Sequence, residues 1–211
     1  MNYAPASARS AFVALAARHA GPGAGSTTHF LKKRTTHTRW PNLDEVLSPL
    51  PWAVVGAAAT RLYMPERATQ DLDVAVAANQ GAEARRKLTQ AGFTYKGELS
   101  IGGSSWVSPK GLTIDVLEGR DDWWPEALQA TQNNRDAQGL PILPLPYLAL
   151  MKFQAGRLQD LADVSRMLGQ ASEESLAEVR ALFARYASQE DLHDLDSLIT
   201  LGRLEYGDMK R

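Results

Sequence analysis

The chain has 211 residues, 44% hydrophobic and 22% charged, with a formal net charge of −1, the make-up of a globular protein with one domain and an appendage, or with two small domains. That balance excludes a global basic field, so any contact with nucleic acid would need a local patch. No cysteine is present, which excludes disulfides, cysteine-based zinc sites and a thiol nucleophile, and makes the cytoplasm the expected location.

The first stretch, MNYAPASARSAFVALAARHAG (residues 1–21), predicts an amphipathic helix with Phe12, Val13 and Leu15 as its buried face. It lacks the continuous apolar core and cleavage site of a signal peptide. No apolar run reaches the roughly 18 residues that a membrane span needs, so no membrane association is expected. Residues 21–41 are rich in Gly, Thr and positive charge and read as a loop or arm. Lys32, Lys33, Arg34 and Arg39 there could touch phosphates, or could simply solvate a linker.

PWAVVGAAATRLYM then predicts a short strand (Trp52 to Val55), a glycine turn at Gly56 and an Ala-rich helix from about residue 57. DLDVAVA is a second strand, and GAEARRKLTQAG a helix with Gly92 at its C-terminal end. FTYKG, SSWVS and LTIDVLEG read as three further strands, the last two joined by a Pro-Lys-Gly turn. WWPEALQAT predicts a short helix and LPILP a final strand. From Pro146 onward the pattern is helical through YLALMKFQAGRLQDLADVSRMLG, SEESLAEVRALFARYA and EDLHDLDSLITLGRLEYG. The expected class is α+β, a small mixed sheet flanked by helices with a C-terminal helical bundle. The expected segments are an N-terminal helix and basic arm (1–41), an α/β core (42–145) and a helical region (146–211).

The tripeptide Asp-Leu-Asp occurs twice. At residues 194–196 it lies in a helical pattern, where i and i+2 point about 200° apart and cannot share an ion, so that copy reads as a solvated face. At residues 71–73 it opens an alternating strand, so Asp71 and Asp73 project together while Leu72, Val74 and Val76 project to the buried side. Two like charges that close repel unless a cation or a positive side chain intervenes. Arg67 or Arg61 alone could neutralise Asp73. A third acid, Asp115, sits mid-strand in LTIDVLEG on the face opposite Leu112, Ile114 and Val116, where an unpaired buried charge is costly. If the two strands are neighbours, the three carboxylates form an oxygen-rich site suited to Mg²⁺ or Mn²⁺. Farther on, Leu161, Val164 and Leu168 predict a buried stripe that leaves Asp160 and Asp163 on another face, where i,i+3 partners Arg157 and Arg166 would make surface pairs. Lys152 interrupts an apolar run and would either snorkel outward or reach a phosphate. Trp106, Trp123 and Trp124 could stack in a pocket or fill the core, and His19, His29, His37 and His193 show no ligand spacing.

VVGAAATRLYMPERATQDLDV followed by LTIDVLE resembles the DNA polymerase-β-like nucleotidyltransferase superfamily. It is most similar to the bacterial branch of abortive-infection and toxin–antitoxin nucleotidyltransferases, through Arg67, Thr69, Asp71, Leu72 and Asp73 and a later helix bearing Lys152, Arg157, Asp160 and Asp163. The resemblance implies metal binding and catalysis by Asp71, Asp73 and Asp115, with Lys152 also catalytic. It implies nucleotide contacts from Gly56, Ala57, Arg67, Thr69, Lys152 and Asp160. Ala57 departs from the Ser or Gly usual after the strand glycine, which removes a hydroxyl contact to phosphate. The implied partners are an NTP, an acceptor such as tRNA or another RNA, and a cognate antitoxin protein. Small-molecule antibiotics or proteins are alternative acceptors, and a non-catalytic nucleotide-binding protein is the alternative from another class.

Overall fold

The computed structural model describes residues 5–21, 39–65 and 69–206. Lys32, Lys33, Arg34 and Arg67 therefore lie outside the described residues. The chain divides into two compact units, one made of residues 34–62 and 66–144, the other of residues 1–33, 63–65 and 145–211.

The first unit is built on a five-stranded mixed sheet of β1 (Ala53–Val54), β2 (Asp71–Ala77), β3 (Thr94–Glu98), β4 (Gly103–Val107) and β5 (Thr113–Gly119). Their order across the sheet is β1-β2-β5-β4-β3. β2 and β5 are parallel, and every other neighbouring pair is antiparallel. With the helices described below, this is the expected α+β class.

One face of the sheet is apolar. Leu72, Val74 and Val76 of β2, Ile114 and Val116 of β5 and Trp106 of β4 are all buried. They alternate with the residues of the other face, as the two-residue period of a strand requires. Helices α4 (Gly81–Gln90) and α5 (Trp124–Ala130) pack on β2 and bury Ala84, Leu88, Ala127 and Leu128. Two shorter helices, α2 (Asp44–Leu47) and α3 (Gly56–Ala59), complete the unit, and α2 packs on α4. Arg85 of α4 ties the helix to the sheet by bonding both Glu98 and Glu118, and that guanidinium holds the Glu98 carboxyl down to about 2. Trp106, Trp123 and Trp124 are buried, with Trp123 stacked on Trp124 at 4.3 Å between ring centroids and Trp106 edge-on to Tyr95. They are core residues.

LPILP does not form a strand. Val54 makes a single parallel bridge to Ile142, with Val54 N–H donating to Pro141 and Leu143 N–H donating to Val54. Pro141 and Pro144 carry no N–H, so the segment cannot extend the ladder.

The second unit is helical: α1 (Pro5–His19), α6 (Leu145–Ala155), α7 (Leu158–Gly169), α8 (Glu173–Tyr186) and α9 (Gln189–Tyr206). The long helical pattern after Pro146 breaks between α6 and α7 at Gly156, whose φ of +67° suits glycine. α8 starts at a serine cap, Ser172 accepting from Ser175 N–H at 3.2 Å. α6 is buried nearly all round, by Tyr147, Leu148, Leu150 and Phe153 among others.

Two sequence expectations are corrected here. Val13 of α1 is buried as expected, but Phe12 and Leu15 are 38% and 55% exposed. α1 meets α9 along the line of Arg9, Ser10 and Val13, where polar anchors decide its orientation. Arg9 bonds Asp191 and Asp194 and lies 4.0 Å over the Phe153 ring, while Ser10 donates to Asp194 at 2.8 Å. The second Asp-Leu-Asp is accordingly not a solvated face throughout: Asp194 is buried as the receptor for α1, and only Asp196 is exposed, paired with Arg180.

α7 and α9 touch backbone to backbone. A Cβ added at Gly202 would meet the Ser165 carbonyl oxygen at 1.9 Å, and one at Gly169 would meet the Gly202 carbonyl carbon at 2.3 Å. Gly202→Ala must push the helices apart and should lower stability by about 1–3 kcal/mol, read as an earlier urea midpoint.

Candidate metal-binding active site

The exposed-side face of the sheet carries the acids. Asp73 of β2 is the direct register partner of Asp115 on β5, and Asp71 is the partner of Thr113. Neighbours in register on adjacent strands project to the same face, so Asp71, Asp73, Thr113 and Asp115 share it. The structure brings the three carboxylates together, with one oxygen from each lying within 4.8 Å of the others. All three are half-buried.

Two ionised carboxylates at that separation repel by about 3 kcal/mol at an effective dielectric of ~20. The arrangement therefore calls for positive charge. Asp115 Oδ1 adds a second indication: among the described residues it is a buried oxygen with no hydrogen-bond partner. An orphaned anionic oxygen in a group of hard oxygen donors fits a divalent cation, and the three aspartates could hold one.

Gly56 explains how closely the backbone packs on the triad. It follows β1, whose continuation bonds back to β2 through Val55 N–H and the Asp73 carbonyl at 2.9 Å. Gly56 has a φ of +61°, and a Cβ there would lie 1.8 Å from Asp73 Oδ2. No side chain fits between this backbone and the carboxylate. Ala57, the next residue, is buried in α3. Arg61, weighed in the sequence as a counter-charge to Asp73, bonds Asp136 in a largely buried pair. Thr69 stands just ahead of β2, and its hydroxyl donates to Asp71 Oδ1 at 2.6 Å.

Two hydroxyl residues stand beside the triad, and only the second escaped the sequence reading. Thr113 shares the face as the residue two before Asp115. Ser105 of β4 is the antiparallel partner of Asp115. The Pro-Lys-Gly turn that joins β4 to β5 held the signal for Ser105, because the turn sets the hairpin's register.

Lys152, Asp160 and Asp163 belong to the helical unit. Lys152 is 2% exposed, and Asp160 and Asp163 are 2% and 0% exposed. The Lys152 ammonium donates to Asp160 Oδ1 at 3.2 Å and to Asp163 Oδ2 at 2.8 Å, Arg157 donates to Asp160 Oδ2 at 2.5 Å, and Gln159 donates to Asp163 Oδ1 at 3.2 Å. The two acids thus form a buried ionic knot between α6 and α7: the expected Arg157–Asp160 pair forms, but its acid is buried and shared with Lys152. Arg166 reaches Glu205 of α9. The stripe Leu161, Val164 and Leu168 is buried as read, and the lysine on α6 draws the acids inward as well.

No protein-family model and no curated protein matches the chain. Among solved structures it is similar to the solution structure of the antibiotic-resistance factor ANT(2'')-Ia, at 16% identity and a TM-score of 0.43, covering 80% of this chain and 89% of that one. It is also similar to the crystal structure of ANT(2'')-Ia in complex with adenylyl-2''-tobramycin, at 16% identity and a TM-score of 0.38, covering 78% of this chain and 92% of that one. A third similar structure is the Megavirus polyadenylate synthase, at 8% identity and a TM-score of 0.32, covering 96% of this chain and 46% of that one. At such identities and scores, function rests on the residues of the site.

Two expected outcomes follow from this geometry. Gly56→Ala should displace the Asp73 carboxylate, and whatever affinity the triad has for a divalent cation, titrated calorimetrically with Mn²⁺, should fall at least about tenfold. Lys152→Met would leave two buried acids facing each other without their ammonium, and should cost about 3–5 kcal/mol in urea unfolding.

Proposed function

We propose that the chain is a metal-dependent nucleotidyltransferase, moving a nucleoside monophosphate from an NTP to an acceptor hydroxyl. The observation that carries this reading is the register of Asp73 against Asp115, which brings three carboxylates together, one of them with an oxygen that has no partner among the described residues. Its sequence setting, a strand, Gly56, a short helix and then Asp71-Leu72-Asp73, is the one that suggested the resemblance.

In this reading Asp71, Asp73 and Asp115 would hold a pair of Mg²⁺ or Mn²⁺ ions, which would supply positive charge for the phosphates and the reacting oxygens. Asp115 takes up the proton of the attacking hydroxyl. The hydroxyl oxygen bonds to the α-phosphorus, the bond from that phosphorus to the β-bridging oxygen breaks, and pyrophosphate leaves. The turn at Gly56 and Ala57, whose backbone packs directly on Asp73, is the part of the site that would meet the nucleotide, as the resemblance implies. Arg67 keeps the phosphate-neutralising role that the resemblance implies. Lys152 and Asp160, bonded to one another, serve as the brace of the helical unit.

The test is incubation with each α-labelled NTP and Mg²⁺ or Mn²⁺, in parallel with total tRNA, with hydroxyl-bearing aminoglycosides, and with the protein alone. We expect label on one of these acceptor classes with wild type, and a loss of at least about 100-fold with Asp73→Asn. Full activity in Asp73→Asn, or no transfer to any acceptor class, overturns the reading.

A further inference from the structure

The resemblance would make Thr69 a nucleotide contact. The structure gives its hydroxyl another partner. Thr69 Oγ1 lies 2.6 Å from Asp71 Oδ1 and 3.4 Å from the Asp71 carbonyl oxygen. A hydroxyl has one proton to donate, and the shorter distance falls in the range of a strong O–H···O⁻ bond, so the carboxylate receives it.

The bond matters because of what stands beside Asp71. Its neighbours on that face are Thr113, its register partner, and the acids Asp73 and Asp115, each with an oxygen within 4.8 Å. Asp71 is also the first residue of β2, where the ladder holds the chain on one side only. Repulsion from the other two acids favours any rotamer that turns Asp71 out to water. A neutral donor fixed at one of its oxygens opposes that rotation without competing as a counter-ion. Thr is stiff at χ1 because it is branched at Cβ, so its hydroxyl is placed before the ion arrives.

We infer that Thr69 is a positioning residue for the metal site, holding Asp71 in the ligating rotamer through its hydroxyl. This inference rests on the metal-binding reading of the three aspartates. Partners that orient ligating carboxylates are typically worth about 10–100-fold in metal affinity.

The experiment is Mn²⁺ titration of the full chain, followed by electron paramagnetic resonance of the free ion, on wild type, Asp73→Asn, Thr69→Val, Thr69→Ala and Thr69→Ser. Thermal melts of each confirm folding. Thr69→Val and Thr69→Ala are expected to bind Mn²⁺ about 10–100-fold more weakly, and Thr69→Ser within about threefold of wild type. With two hydroxyl-free variants, a failure of either one to fold leaves the other to compare with Thr69→Ser. If wild type and Asp73→Asn bind alike, the metal reading itself fails and takes this inference with it. If wild type binds, Asp73→Asn does not, and the hydroxyl-free variants bind like wild type, the inference alone is overturned.

Discussion

The parallel pairing of β2 with β5 is the constraint on which the site depends. Asp73 faces Asp115 only in this register, and a slip of one residue would send one strand's acids into the apolar core. What pins the register is the opposite face. Leu72, Val74 and Val76 lie beside Ile114 and Val116, fully buried, and burying such side chains contributes about 1.5–3 kcal/mol each. The apolar side of the sheet therefore carries the energy that holds three like charges together on the other side. The stability of the core and the strain of the site are two faces of the same strands.

The two units handle buried acid differently. In the helical unit, Asp160 and Asp163 are the more deeply buried, yet both meet donors from Lys152, and Arg157 and Gln159 add further bonds. That knot is internally complete, the condition under which buried charge is tolerated. In the sheet unit, Asp115 is only half-buried but retains an oxygen with no partner among the described residues. Depth of burial alone would rank the helical cluster as the more unusual one. Completeness of the bonding ranks them the other way.

Much of this was legible in the chain. Period-two alternation in DLDVAVA and LTIDVLE placed Asp71, Asp73 and Asp115 on the polar face of their strands, because one-sided burial leaves a direct mark on sequence. The adjacency of the two strands is a matter of topology, and no local pattern encodes it. Thr69 had a motif but no visible partner, since its role depends on a side-chain rotamer. α1 was misread for a related reason: its apolar residues suggested one face, while Arg9 and Ser10 found acids on α9 almost a full chain length away. The knot at Lys152 was hidden likewise, because i,i+3 pairs within one helix look complete until a neighbouring helix supplies a cation.

The crossing of α7 and α9 has a consequence for the chain's history. Gly169 and Gly202 meet where neither can acquire a methyl group without the other helix yielding. A single substitution at either position, even to alanine, forces the helices apart and costs stability. The Ser165 hydroxyl, donating to the Leu198 carbonyl at 3.0 Å across the same crossing, adds a third position to the lock. Such a seam records its geometry as small residues that must change together or stay as they are. In the helical unit, then, the slowest-changing letters are expected at this crossing, remote in sequence from the acids that would do the chemistry.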